Sequence, residues 1–272
     1  MKEYTRFIDQ WGLLDKVYLR DGGDTCQREG MFWSLLGMMT KERRDKWLKR
    51  FEREFWDYAV MIKKLHVHDG IFIRHVRPDN DVNAWDRMSR DQLQCQVIAA
   101  GYWSESELRR IIKGHKSRFF LRTTNIRNNG ATKENHGQIK NKAGELFDYS
   151  PQPADFTGPE IWGNMIRGGR KKWYKKFLLW FLDPIELFGG SVKWKYWPRN
   201  NIALNQCVSV LQGLDRIPTF WSVWAEKIMP IAEYNAYILD HLDDFHDKDT
   251  MIFLTEMVTD AHEAILERRK RA

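Results

Sequence analysis

Apolar side chains recur at helical spacing along most of the chain. Over residues 25–40, Met31, Phe32, Leu35, Leu36 and Met39 fall on one face of a 3.6-residue period. Residues 41–65 continue it with Trp47, Leu48, Phe51, Phe55, Tyr58, Ala59 and Ile62. Ser89 is placed to cap a helix reaching about Ala100, and Ser104 with Glu107 forms a capping box that opens a helix through Ile111 and Ile112. Helical patterning returns over 159–166, 173–187, 200–214, 218–242 and 248–268. Residues 71–77 alternate partly and predict the one strand. Between about 121 and 158 the pattern stops, and Asn, Gly and Pro predict a long loop, a feature that compact chains keep for function or for a seam. These elements predict a single all-α domain over 1–272, built of antiparallel helical hairpins. The hairpins would form an incomplete α/α toroid or an irregular helical bundle.

Composition sharpens this only in places. Of 272 residues 43% are hydrophobic and 30% charged, which describes a globular chain with a sizeable core, not a disordered one. The longest clean apolar run, residues 177–182, is far too short to span a bilayer. The first residues, MKEYTRFID, lack the apolar region of a secretory signal. Three widely spaced cysteines, Cys26, Cys95 and Cys207, predict buried free thiols in a reducing compartment. A cytoplasmic setting follows as the expectation. A virus-encoded, virion-associated protein released by lysis is the other setting, since it needs no signal. Thirteen tryptophans and a net charge of +7 stand out. Tryptophan fills cores, and it also stacks on sugars and bases, so two uses stay open.

Two polar segments precede helices. The first is residues 20–30, RDGGDTCQREG, where Asp24 occupies an N-cap position and Asp21 supports the turn. Gln27 and Arg28 follow in the first helical turn. The second is residues 74–81, RHVRPDND, leading into residues 85–92, WDRMSRDQ. There Arg90, Asp91 and Gln92 follow the cap. Each segment could be only a capped helix start. If the two helix mouths face each other, their acids form a carboxylate pair, the apparatus for cleaving a glycosidic bond.

The DGGD, QR-x-G, RH and SRDQ strings, with Trp85, resemble phage and bacterial proteins that are in turn distantly similar to α/α-toroid glycoside hydrolases and polysaccharide lyases. Residues 158–162, GPE-x-W, and 218–222, PT-x-x-S, belong to the same pattern. The resemblance spans about 18–230. It implies a glycan-active enzyme with Asp24 and Asp91 as the central pair and Asp21 and Asp86 in support. Gln27, Arg28, Arg74, His75, Arg90 and Gln92 would orient substrate, and Trp33 and Trp85 would be sugar platforms.

Other features give rival readings. Between 167 and 199, Lys171, Lys172, Lys175, Lys176, Lys193 and Lys195 interleave with Trp173, Tyr174, Trp180, Trp194, Tyr196 and Trp197. That pattern suits a polyanion such as nucleic acid, or a lysine-faced amphipathic helix. It supports a non-enzymatic, virus-encoded structural or nucleic-acid-binding protein. The DDFHD string at 243–247 supports a metal-dependent phosphohydrolase or diphosphate enzyme, or else an ordinary helix break. His66 and His68 alternate without the further ligands that zinc requires. The glycan-active reading calls for no metal and no cofactor, and its partner would be a carbohydrate or other polyanionic ligand. The basic helix end at 267–272, ERRKRA, reads as a solubilising cap or a polyanion contact. The oligomeric state is left open.

Overall fold

The computed structural model describes residues 4–8, 12–14, 25–54, 57–68, 71–72, 90–111, 139–140, 146–147, 202–216, 230–244 and 248–271. Among them are α1 (Thr25–Met38), α2 (Lys41–Arg50), α3 (Tyr58–Leu65), α4 (Arg90–Trp103), α5 (residues 105–111), α6 (Ile202–Arg216), α7 (Ile231–Asp240) and α8 (Lys248–Arg271). Two short antiparallel ribbons complete the picture: β1 (His66–His68) with β2 (Ile71–Phe72), and β3 (Ile139–Lys140) with β4 (Leu146–Phe147). The helical class is as the sequence predicts. Of the predicted strand at 71–77, β2 covers Ile71–Phe72 and the rest lies outside the described residues; the second ribbon lies within the expected long loop. The helical segments expected at 159–166 and 173–187 lie outside the described residues. Among the described residues, no helix is long and apolar enough to cross a membrane.

Residues 41–65 do not form the continuous pattern expected. Thr40 caps α2 by accepting the Arg43 N–H at 3.4 Å. The helix then closes on a Schellman turn in which Arg53 N–H reaches Leu48 O at 2.8 Å and Glu52 N–H reaches Lys49 O at 3.1 Å. Glu52 holds the left-handed conformation, φ 53°, where glycine is usual. The apolar period runs through this turn because Phe51 and Tyr58 are both buried, on either side of it. At the far end, Pro230 occupies the N-cap of α7, so the stretch expected at 218–242 has a helix start inside it. The capping box at Ser104 is half made. Its hydroxyl accepts the Glu107 N–H at 3.3 Å, but its own N–H already donates to Ala100 O, the last bond of α4.

Helix α1 is central among the described helices. All its residues are buried except Gly37, and α2, α4, α6 and α8 pack around it. Against α4 the backbones approach closely. A Cβ on Gly30 would lie 2.5 Å from Cys95 Cβ and 2.8 Å from the Cys95 carbonyl carbon; one on Gly37 would lie 2.5 Å from Tyr102 Cβ. Between them Ser34 spends its hydroxyl on Gly30 O (2.6 Å) and Cys95 O (3.2 Å).

These contacts fix directions. Gly30 meets Cys95 and Gly37 meets Tyr102 at the same sequence offset, so α1 and α4 run parallel. Helix α8 also runs with α1. Its Arg268 donates to Met38 O at the end of α1 (2.7 Å), while Phe253 near its start packs edge-on against Phe51, which in turn packs on Phe32. Helix α2 runs against α8, with Arg43 bound to Glu267 and Arg50 to Glu256. The antiparallel hairpins expected from sequence are present as α1–α2 and α7–α8, but the neighbours inside the core are parallel. Asp215, at the end of α6, accepts from Tyr102 on α4 (2.7 Å) and from Arg268 (2.6 Å). The C-terminal ends of α1, α4, α6 and α8 therefore gather at one place.

An aromatic cluster of Tyr4, Phe7, Phe32, Trp33, Trp47, Phe51, Tyr58 and Phe253 forms the core beside α1. Cys26, Cys95 and Cys207 are buried free thiols, as expected, and burial pushes the Cys207 thiol well above its usual range. The folded chain should react with a thiol reagent at pH 8 far more slowly than the chain in guanidinium, where all three should titrate. In the α1–α4 seam, Gly30→Ala should lower the unfolding free energy by about 1–3 kcal/mol in a urea titration, because the new methyl meets backbone that cannot rotate away.

Candidate functional site

Parallel packing brings the first turns of α1 and α4 to one end of the pair. Gln96 ties them there, donating from Nε2 to Cys26 O at 2.7 Å. The Tyr58 hydroxyl lies 3.3 Å from both Gln96 O and Gln96 Oε1, and burial raises its pKa well above the ordinary phenol value. Two helix N-termini side by side direct the partial positive charge of their dipoles to the same region, a setting that favours carboxylates and anions.

One turn into α1 lies a buried polar network that the sequence reading did not single out. Glu29 is fully buried, and its carboxylate accepts four hydrogen bonds. Two come from Arg53, Nη1 to Oε2 at 3.0 Å and Nη2 to Oε1 at 2.7 Å. The others come from Leu14 N–H at 2.8 Å and Trp33 Nε1 at 2.9 Å. Arg53 also donates to Gly12 O at 2.6 Å and lies over the Phe32 ring, 5.2 Å from its centroid. The left-handed turn at Glu52 is what aims Arg53 at this point. Glu29 was within the polar string at 20–30, but nothing in its spacing separates a buried hub from an exposed first-turn acid. Arg53 was hidden because no glycine marks its turn.

The predicted site residues divide as follows. Gln27 and Arg28 lie in the first turn of α1 and are buried, at 0% and 5% exposure. Trp33 corrects the expectation of a sugar platform. It is fully buried, packed edge-on against Phe32, Tyr58 and Trp103 with its ring N–H on Glu29, and has no open face to stack on a sugar. Arg90, Asp91 and Gln92 occupy the first turn of α4, at the same end as Thr25, though their side chains lie outside the described residues. Asp21, Asp24, Arg74, His75, Trp85 and Asp86 lie outside the described residues. So do Lys171, Lys172, Lys175, Lys176, Lys193 and Lys195. His66 and His68 form β1, their side chains likewise outside the described residues. From the DDFHD string, Asp243 is exposed and paired with Lys248, whose charge holds its carboxyl below the usual range. Among the described residues, no group of three or more His, Cys, Asp or Glu side chains is arranged to hold a metal ion. Comparison with protein-family models, with curated proteins and with solved structures finds no match.

Removing one partner of the Glu29–Arg53 pair leaves a charge uncompensated in the interior. Arg53→Met should therefore cost about 3–5 kcal/mol in chemical denaturation. Adding Glu29→Met to it should recover part of that loss, because no lone carboxylate then remains buried.

Proposed function

We propose that the protein is a glycan-active enzyme, a glycoside hydrolase or lyase, working through a carboxylate pair at the shared N-terminal end of α1 and α4. The observation that carries this reading is the parallel α1–α4 pair. Asp91 is the second residue of α4, and Asp24 directly precedes Thr25, the first residue of α1. In the observed register Thr25 is level with Arg90, so the two helices begin at the same height. Two acids over one pocket divide the work of glycosidic cleavage: one protonates the leaving oxygen, and the other activates water or attacks the sugar. The N–H groups and dipoles of both helix ends favour the ionised partner.

A ring of helical hairpins supplies the wider frame. In such a ring the inner helices all run one way, as α1, α4 and α8 do, and outer helices return against them, as α2 and α7 do. The resemblance to α/α-toroid glycoside hydrolases and lyases agrees with this frame. Substrate would be oriented by Arg74, His75, Arg90 and Gln92, with Trp85 as the sugar platform. Gln27 and Arg28 would act from beneath.

The test is release of sugar ends from a panel of neutral and uronate-containing polysaccharides. A hydrolase generates reducing ends alone, whereas a lyase also generates an ultraviolet-absorbing unsaturated end. Asp24→Asn and Asp91→Asn should each lower the rate by about 10²–10⁴-fold with the melting temperature within a few degrees of native. Undiminished turnover in either variant, or a native chain inert on the whole panel, rejects the proposal.

A further inference from the structure

The end of the core opposite the α1 and α4 N-termini carries a different chemistry. Here the last residues of α1, α4, α6 and α8 converge, and the first turn of α2 joins them through Arg43, which binds Glu263 and Glu267 at 2.8 and 2.9 Å. Two cations at this end are consumed by the fold. Arg43 is held by Asp260, Glu263 and Glu267, and Arg268 by Asp215 and Met38 O. Arg109 and Arg110 of α5 are paired with Glu105 and Glu107.

Five cations remain: Lys41, Arg44, Arg269, Lys270 and Arg271. None of them forms an ion pair among the described residues. Lys41, Lys270 and Arg271 are exposed, and Arg44 and Arg269 are half-buried. The acids exposed beside them on α2 are Glu42 and Asp45. Arg269 has a guanidinium nitrogen, Nη2, that is shielded from solvent with no hydrogen-bond partner. Four helix C-termini account for some positive charge, but Arg268 already caps α1, and the partial charge of helix ends is far smaller than five whole cations.

We infer that this face is a binding surface for the phosphate backbone of nucleic acid, independent of the proposed glycan site. Cations without acidic partners, gathered at one end of the packed helices, can meet a phosphate array without first breaking an ion pair. The contacts are to phosphate and carry no base sequence. The aromatic nearest to them, Trp103, has Arg44 over one face at 5.0 Å, its ring N–H on Trp33 O at 2.6 Å and its edge against Trp33. Among the described residues Trp103 therefore offers no stacking platform to a base, and affinity rests on counterion release.

The experiment is fluorescence anisotropy of a labelled DNA duplex of about twenty base pairs with the full chain, from 50 to 200 mM salt. The native chain should bind with a steep salt dependence and without preference between two unrelated sequences. Arg269→Glu, Lys270→Glu and Arg271→Glu together should weaken binding at least tenfold and lower the salt slope by about 3, one unit per lost phosphate contact. Arg268 is left intact because it anchors α8 to α1 and α6. If the triple variant does not fold, Lys41→Gln with Lys270→Gln, both exposed, should lower the slope by about 2. Unchanged affinity and slope in these variants overturn the inference. So does binding that is lost only when Lys171, Lys172, Lys175 and Lys176 are changed to Glu, or capture by phosphatidylserine vesicles with none by the duplex.

Discussion

The carboxylate of Glu29 is where three separate stretches of chain are held in one arrangement. It accepts from Leu14 in the N-terminal segment, from Trp33 on its own helix and twice from Arg53 beyond α2. A charged group in an apolar interior is tolerable only when each of its lone pairs is engaged, and here they are. The network is all or nothing: without the left-handed turn at Glu52, Arg53 could not reach, and the carboxylate would have lost its counter-charge. The hydrogen bonds fix both the rotation of α1 about its axis and the distance of the α2 hairpin from it. The aromatic cluster then fills the volume that this frame leaves.

The second constraint is the direction of the helices. Parallel neighbours need a long connection between them, and here α2, α3 and the β1–β2 ribbon lie in that connection between α1 and α4. The result separates the two kinds of helix end. At one end the polar segments of the sequence lead into helix N-termini, where acids are stabilised. At the other, carbonyl ends gather: Arg268 donates to Met38 O, Asp215 accepts from Tyr102 and Arg268, and the last turn of α8 is basic. A chain with net charge +7 thus has five of its described unpaired cations at the carbonyl end.

Helical class, the position of most described helices and the buried state of the cysteines were legible in the sequence, because apolar spacing and capping residues are local signals. The break after α2 was not, because Glu52 takes a glycine's conformation and Phe51 and Tyr58 keep the apolar period going across it. The two uses of tryptophan could not be separated from composition. Burial separates them at Trp33 and Trp47, which are core residues joined to acids through their ring N–H groups. The parallel close packing of α1 and α4 was not legible. What allows it is the pair Gly30 and Gly37, whose spacing of two helical turns is a close-packing signal that can be read from sequence once a partner helix is known.

The interior of α1 also explains why its first turn is so polar for a central helix. Gln27, Arg28 and Glu29 are all buried, and beyond them the helix is almost wholly apolar but for Ser34. A helix centred in a bundle needs no such groups for stability, since apolar residues of similar volume would pack as well or better. Polar atoms in fixed hydrogen bonds do what apolar packing does less well: they select one rotation and one height for the helix. That selection is strongest where the groups are, within the first turns. The polarity of α1 is therefore concentrated at the end where Gln96 ties its first turn to α4, and it fades toward Met38, where Arg268 and packing suffice.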